Sequence, residues 1–106
     1  MTKGKPDPED QKAADKAVAP DRLLDGEETS TTYPEDARHW ISTYQELLNF
    51  KMVMLESTQI KFESMTNADA RKELESTDLV IIRSEKERFE RRLHFWRTRL
   101  RELDPR

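Results

Sequence analysis

His39 and His94, the chain's two histidines, and a run of cations between Arg83 and Arg101 are the side chains best suited to chemistry. If the chain folds back near residues 66 and 67, positions at equal height on the two arms have numbers summing to about 133 by helical rise. His39 and His94 then meet at the open end, among Trp40, Phe95 and Trp96. An imidazole pair suggests a metal ion or a pH switch. A transition-metal site needs three or more convergent ligands with an ordered outer shell, and only Glu35, Asp36 and Glu90 are near enough in sequence to complete one. The pair therefore reads as a polar fringe on an aromatic plug, with no metal and no cofactor.

The cations offer more. At helical spacing, Arg88, Arg91, Arg92 and Arg99 gather on a flank of the stripe Phe89, Leu93, Trp96. Guanidinium forks grip phosphates and carboxylates through paired hydrogen bonds, so nucleic acid is one partner for such a face. Glu85, Glu87, Glu90 and Glu102 are interleaved at intrahelical pairing distances, which favours a solvated, salt-bridged surface over a phosphate track. A membrane surface fits less well, because the neighbouring apolar stripe is needed for packing. An enzyme clamping a dicarboxylate inside a helical bundle would need inward cations, and Lys51 is the one charge in the inward seam of the first helix. The chain is read as no enzyme, with a nucleic-acid-associated or transcription-related role as the competing function.

Composition limits the fold that must position these groups. The 106 residues suit one small domain, with 34% apolar and 39% charged side chains. A thin core of this kind ordinarily needs a disulfide, a metal or oligomerisation, and there is no cysteine. No opening apolar run resembles a signal peptide, and no stretch is apolar for the length a membrane span requires. The expected location is cytoplasmic. Residues 1–50 carry 6 basic and 11 acidic groups, whereas residues 83–106 carry 9 basic and 5 acidic. That polarity can steer a partner or draw the chain's own tail onto its helix.

Both glycines and four of the five prolines precede residue 36, in a stretch poor in apolar groups, so residues 1–33 are expected to be a disordered acidic tail. The leucine pair Leu23 and Leu24, between Pro20 and Gly26, reads as incidental or as a short docking motif. A helix is expected over 34–64, started by a Thr32–Glu35 capping box with Pro34 in its first turn. Ala37, Ile41, Tyr44, Leu48, Lys51, Leu55, Thr58, Phe62 and Met65 alternate steps of four and three along it, a coiled-coil-like seam. A turn over 65–69, with a Thr66–Asp69 capping box, leads to a second helix over 67–103. Leu74, Ile82, Phe89, Leu93, Trp96, Leu100 and Leu103 face inward, and a break at 76–78 is the alternative because Ser76, Thr77 and Asp78 are weak helix formers.

The fold class is thus all-α, a long antiparallel helical hairpin over 34–104. Equal-height pairing sets Val53 against Val80, Met52 against Ile81, Tyr44 against Phe89 and Trp40 against Leu93, and brings Glu85 within a turn of Lys51. Phe50, Val53 and Ile60 fall outside the seam, although the run Leu47–Leu55 holds seven apolar residues of nine. Such a patch asks for a neighbour. A four-helix bundle made by a homodimer would supply it, or another helical protein. The expected protein–protein contact is carried by Leu47, Phe50, Val53 and Met54, with Trp40 and Trp96 locking the open end. Arg88, Arg91, Arg92 and Arg99 would select the partner by charge.

Overall fold

The structure, a computed structural model, describes residues 15, 19 and 21–106. The described chain is mostly helical and contains no strand among the described residues. Its helices are α1 (Pro34–Ser64), α2 (Ala68–Ser76) and α3 (Asp78–Leu103).

Pro34 takes the first helical position of α1, where its missing N–H is no loss, and Glu35 and Asp36 complement the helix dipole. The expected Thr32–Glu35 capping box does not form. Tyr33 is the N-cap and makes no side-chain capping bond. Thr31 holds the bend instead: its hydroxyl donates to Asp36 at 2.5 Å and accepts the Tyr33 N–H at 3.2 Å. The approach to the helix is therefore fixed one residue earlier than a box at Thr32 would need.

At the other end Asn67 replaces the expected Thr66–Asp69 pair, its side-chain oxygen accepting the Ala70 N–H at 2.9 Å. Asn caps a helix as well as Ser or Asp does. The Arg71 guanidinium donates to the carbonyls of Phe62 and Met65 at 2.8 and 3.1 Å and lies 4.3 Å from the Phe62 ring centre. It thereby satisfies carbonyls that the end of α1 leaves open.

The helix expected over 67–103 is divided at Thr77, whose φ of −122° and ψ of −83° are not helical. The Ser76 and Thr77 hydroxyls both turn back onto the Glu73 carbonyl, at 3.2 and 2.7 Å. Short hydroxyl side chains that bond nearby backbone offer an alternative to continuing the helix, so the weak run Ser76–Asp78 breaks it.

α1 lies mainly against α3. Arg38 meets Asp104 at 2.5 Å, Gln45 meets Arg97 at 2.9 Å, and Lys51 meets Glu85 at 3.0 Å, so residue numbers rise along one helix as they fall along the other. The core comprises Ala37, Tyr44, Leu48, Phe89, Leu93 and Trp96, with Leu24, Trp40, Ile41 and Leu47 packed around it. All nine seam positions, from Ala37 in α1 to Met65 at its C-cap, are buried or half-buried. Leu79, which the inward set omitted, is 1% exposed. Val53 and Val80, set against each other by equal-height pairing, are instead exposed, because each stands off its helix's buried stripe.

Residues 21–33 correct the expectation of a disordered tail through residue 33. They form a strap along the groove between α1 and α3. Arg88 donates to the Arg22 carbonyl at 3.1 Å, Arg92 to the Glu27 carboxylate at 2.7 Å, and Arg99 to the Thr31 carbonyl at 2.8 Å. Composition missed this because the strap is held mostly by hydrogen bonds and contributes a single core-packed leucine, Leu24. The rest of that expected tail, residues 1–14, 16–18 and 20, lies outside the described residues. The Cα extents are 58 × 30 × 15 Å. Among the described residues no element covers the outer side of α1 beyond Leu48, where Phe50, Val53 and Ile60 are exposed.

Candidate contact face and a buried carboxylate socket

The strap turns at Leu24–Glu27, where the Glu27 N–H reaches the Leu24 carbonyl at 3.0 Å and Gly26 supplies a φ of +82°. A left-handed φ at the third turn position is a glycine's place. The turn sends the Glu27 side chain inward until it is wholly buried. One carboxylate oxygen, Oε1, accepts the Leu24 N–H at 2.9 Å and the Tyr44 hydroxyl. The other, Oε2, accepts Trp96 Nε1 at 2.7 Å and Arg92 Nε and Nη2 at 3.1 and 2.7 Å. Five donors from the strap, α1 and α3 thus converge on one anion.

Burial pushes the Glu27 carboxyl up, but the donors, led by the Tyr44 hydroxyl, outweigh it and hold the group below its ordinary 4.5. Tyr44 moves the opposite way. Burial first, then its bond to Glu27 and that group's charge, push the phenol up to about 12. Arg88 is 1% exposed, and burial followed by the nearby charge of Arg22 lowers its pKa. Its guanidinium lies 4.6 Å from the Phe89 ring centre. Both Glu27 oxygens, the Tyr44 hydroxyl, the Trp96 indole N–H and Arg92 Nε and Nη2 are paired with one another, which suits a structural clamp better than a reacting centre, while Arg88 Nε beside them is buried without a partner.

The four arginines expected to choose a partner are placed differently from one another. Arg88, Arg92 and Arg99 are turned onto the strap, whereas Arg91 is exposed on another side of α3. Trp40 and Trp96 stack at the open end, with ring centres 6.5 Å apart and planes 24° from parallel. His39 and His94 are both exposed, and His39 meets the Trp40 ring edge-on at 4.7 Å. Among the described residues, no group of three or more His, Cys, Asp or Glu is placed to hold a metal ion, and no helix is long and apolar enough to cross a membrane.

The four apolar residues expected to carry the contact divide into two pairs. Leu47 packs against the core cluster, and half-buried Met54 lines a groove with Lys51, Thr58, Ile81 and Glu85. Phe50 and Val53 stand open at 59% and 66% exposure, and Ile60 joins them at 60%. With Ser57 they recur at steps of three, four and three, so they form one stripe on the side of α1 turned away from the buried seam. Val53, Glu56, Ser57 and Ile60 surround a shallow hollow of about 260 Å³, with Lys61 at its rim.

Sequence reasoning missed Glu27 as a central residue. The available signal was Trp96, whose indole N–H needs an acceptor once buried, beside three arginines on one flank of α3 and an acidic segment elsewhere in the chain. No protein-family model matches this chain, and no curated protein or solved structure matches it either.

Proposed function

We propose that this chain is a non-enzymatic interaction protein that acts by helix packing, with the outer stripe of α1 as its contact surface. The observation carrying this reading is that Phe50, Val53 and Ile60 stand open in one row while the neighbouring seam is well packed. A contiguous exposed apolar row on a small protein marks an interaction site more often than chance exposure does. The groups with reactive potential point the same way, because Glu27, Tyr44 and Arg92 are consumed in clamping the strap. The long antiparallel helices then serve as half of a four-helix bundle, completed by a second copy or by a partner's helices. We place this activity in the cytoplasm.

A photoreactive phenylalanine analogue at position 50, in the full chain and in its native cell, tests the reading. Irradiation is expected to give a defined covalent adduct from position 50 and none from the same analogue at position 87, where Glu87 is exposed on α3. Absence of any adduct at 50, or equal yield from both positions, removes the outer stripe of α1 as the contact.

A further inference from the structure

We infer that the occupant of this stripe is a second copy of the same chain, with the two α1 helices antiparallel and related by a two-fold axis at Val53. The inference rests on the reading of the stripe as a contact surface and adds its partner and geometry.

The stripe is complementary to itself. Val53, Glu56, Ser57 and Ile60 stand at i, i+3, i+4 and i+7, the four corners of a hole that receives a knob from a facing helix. Phe50, on the same face, is a free knob. It lies between six and seven residues before the centre of the hole, about 10 Å along the axis at helical rise. A two-fold axis midway between knob and hole passes through Val53, so each Phe50 enters the partner's hollow while the two Val53 side chains meet on the axis. A parallel pair would set Phe50 against Phe50 and leave both hollows empty.

Charge selects the same arrangement. The axis through Val53 places Glu46 opposite the partner's Ile60 and one residue, about 1.5 Å along the axis, from the partner's Lys61, within reach of its long side chain, and the pair occurs twice. Both side chains are exposed, and neither joins an ion pair within the described chain. In a parallel pairing Glu46 would lie beside Glu46 and Lys61 beside Lys61, which is repulsive at both ends. Asn49 falls opposite the partner's Ser57, polar against polar. Opposite charges at the two ends of an apolar stripe are what a closed two-fold contact between identical surfaces requires.

The size of the stripe sets the strength. Phe50, Val53 and Ile60 offer roughly 300–400 Å² per copy on the scale of aromatic and branched side chains. That is about half of the ~800 Å² per partner of a standard stable interface. The dimer is therefore weak and reversible, its contact smaller than that of a standard stable interface.

Sedimentation of the full chain at low ionic strength, from about 10 µM to about 1 mM, covers the concentrations at which a weak, reversible contact forms. The average mass should climb towards twice that of the monomer, while Phe50→Asp stays monomeric throughout with unchanged circular dichroism. Glu46→Lys and Lys61→Glu should each weaken association about five-fold or more, on the order expected for turning surface attractions into repulsions. The double variant should recover it. A monomer at every concentration, or a Phe50→Asp variant that associates like the parent, overturns the self-pairing. A double variant no stronger than the single ones overturns the antiparallel geometry. Crosslinking from position 50 separates this inference from the reading beneath it. An adduct containing only a different protein defeats the second copy and leaves the contact surface standing; no adduct at all defeats both.

Discussion

The two halves of α1 solve different problems with similar apolar content. From Ala37 to Leu48 the helix is one of three layers, with α3 on one side and the strap laid across the groove. From Lys51 to Phe62 it is one of two, and its outer side carries Val53 and Ile60 in the open. The border is the Lys51–Glu85 pair, about one turn beyond the last buried core residue of α1, Leu48. The difference lies in the third element. A strap with little to bury completes the first half because one of its carboxylates, Glu27, gathers the donors of Tyr44, Arg92 and Trp96. The second half has no comparable cover among the described residues, and its apolar groups remain available.

Glu27→Ala breaks the comparison most severely. It leaves the Arg92 charge and the Trp96 and Tyr44 donors without their acceptor, and removing one partner of a buried ionic cluster costs about 3–5 kcal/mol. Urea unfolding should report that loss. A change below about 1 kcal/mol would mean that the strap adds nothing to the first half.

The same socket gives the chain its pH dependence. Glu27 has a folded pKa depressed below 4.5, so its contribution is complete above 4.5 and falls away as pH drops through the depressed value. Tyr44 has a folded pKa raised from 10.0 to about 12, so its contribution is complete below 10 and is lost as pH climbs towards 12. Stability should plateau between these limits. In Glu27→Ala the acid-side loss due to this group should vanish, and an unchanged acid limb would assign it to other carboxylates.

Leu48→Ala and Met54→Ala sharpen the contrast along one helix. Leu48, 8% exposed in the three-layer half, should cost about 2–4 kcal/mol. Half-buried Met54 should cost about 1 kcal/mol or less. Equal losses in thermal unfolding would erase the distinction between the halves. Lys51→Met gives the smallest effect, about 1 kcal/mol or less, since its ion pair with Glu85 is only partly buried. A double-mutant cycle with Glu85→Gln measures it, and a coupling near zero would make the border incidental.

Much of the framework follows from local chemistry. Pro34 and the four-three seam place α1, and the structure gives Pro34–Ser64 where a helix over 34–64 was expected. Helical rise brings Glu85 within a turn of the position opposite Lys51, their charges select the pair, and they meet at 3.0 Å. The expected capping boxes fail at the starts of both α1 and α2: Thr31 braces the approach to α1 without capping it, and Asn67 caps α2 in place of Thr66, because several neighbouring residues can supply an oxygen of similar strength. The strap was invisible to periodicity. Its contribution comes from one glutamate and one leucine without a repeat, and apolar content does not register a segment fastened by side-chain hydrogen bonds. For the same reason Leu47, Phe50, Val53 and Met54 read as one patch in sequence, whereas helical rotation sends the first and last inward and leaves the middle pair open.

The strap's bonds to α3 join residues 65 to 69 positions apart. The socket that receives Glu27 is assembled from both long helices, so it does not exist until they have paired. Closing so long a loop before its reward is available is slow, which puts the strap last in the order of assembly. Loss of Glu27 should accordingly accelerate unfolding while leaving the rate of helix pairing almost untouched.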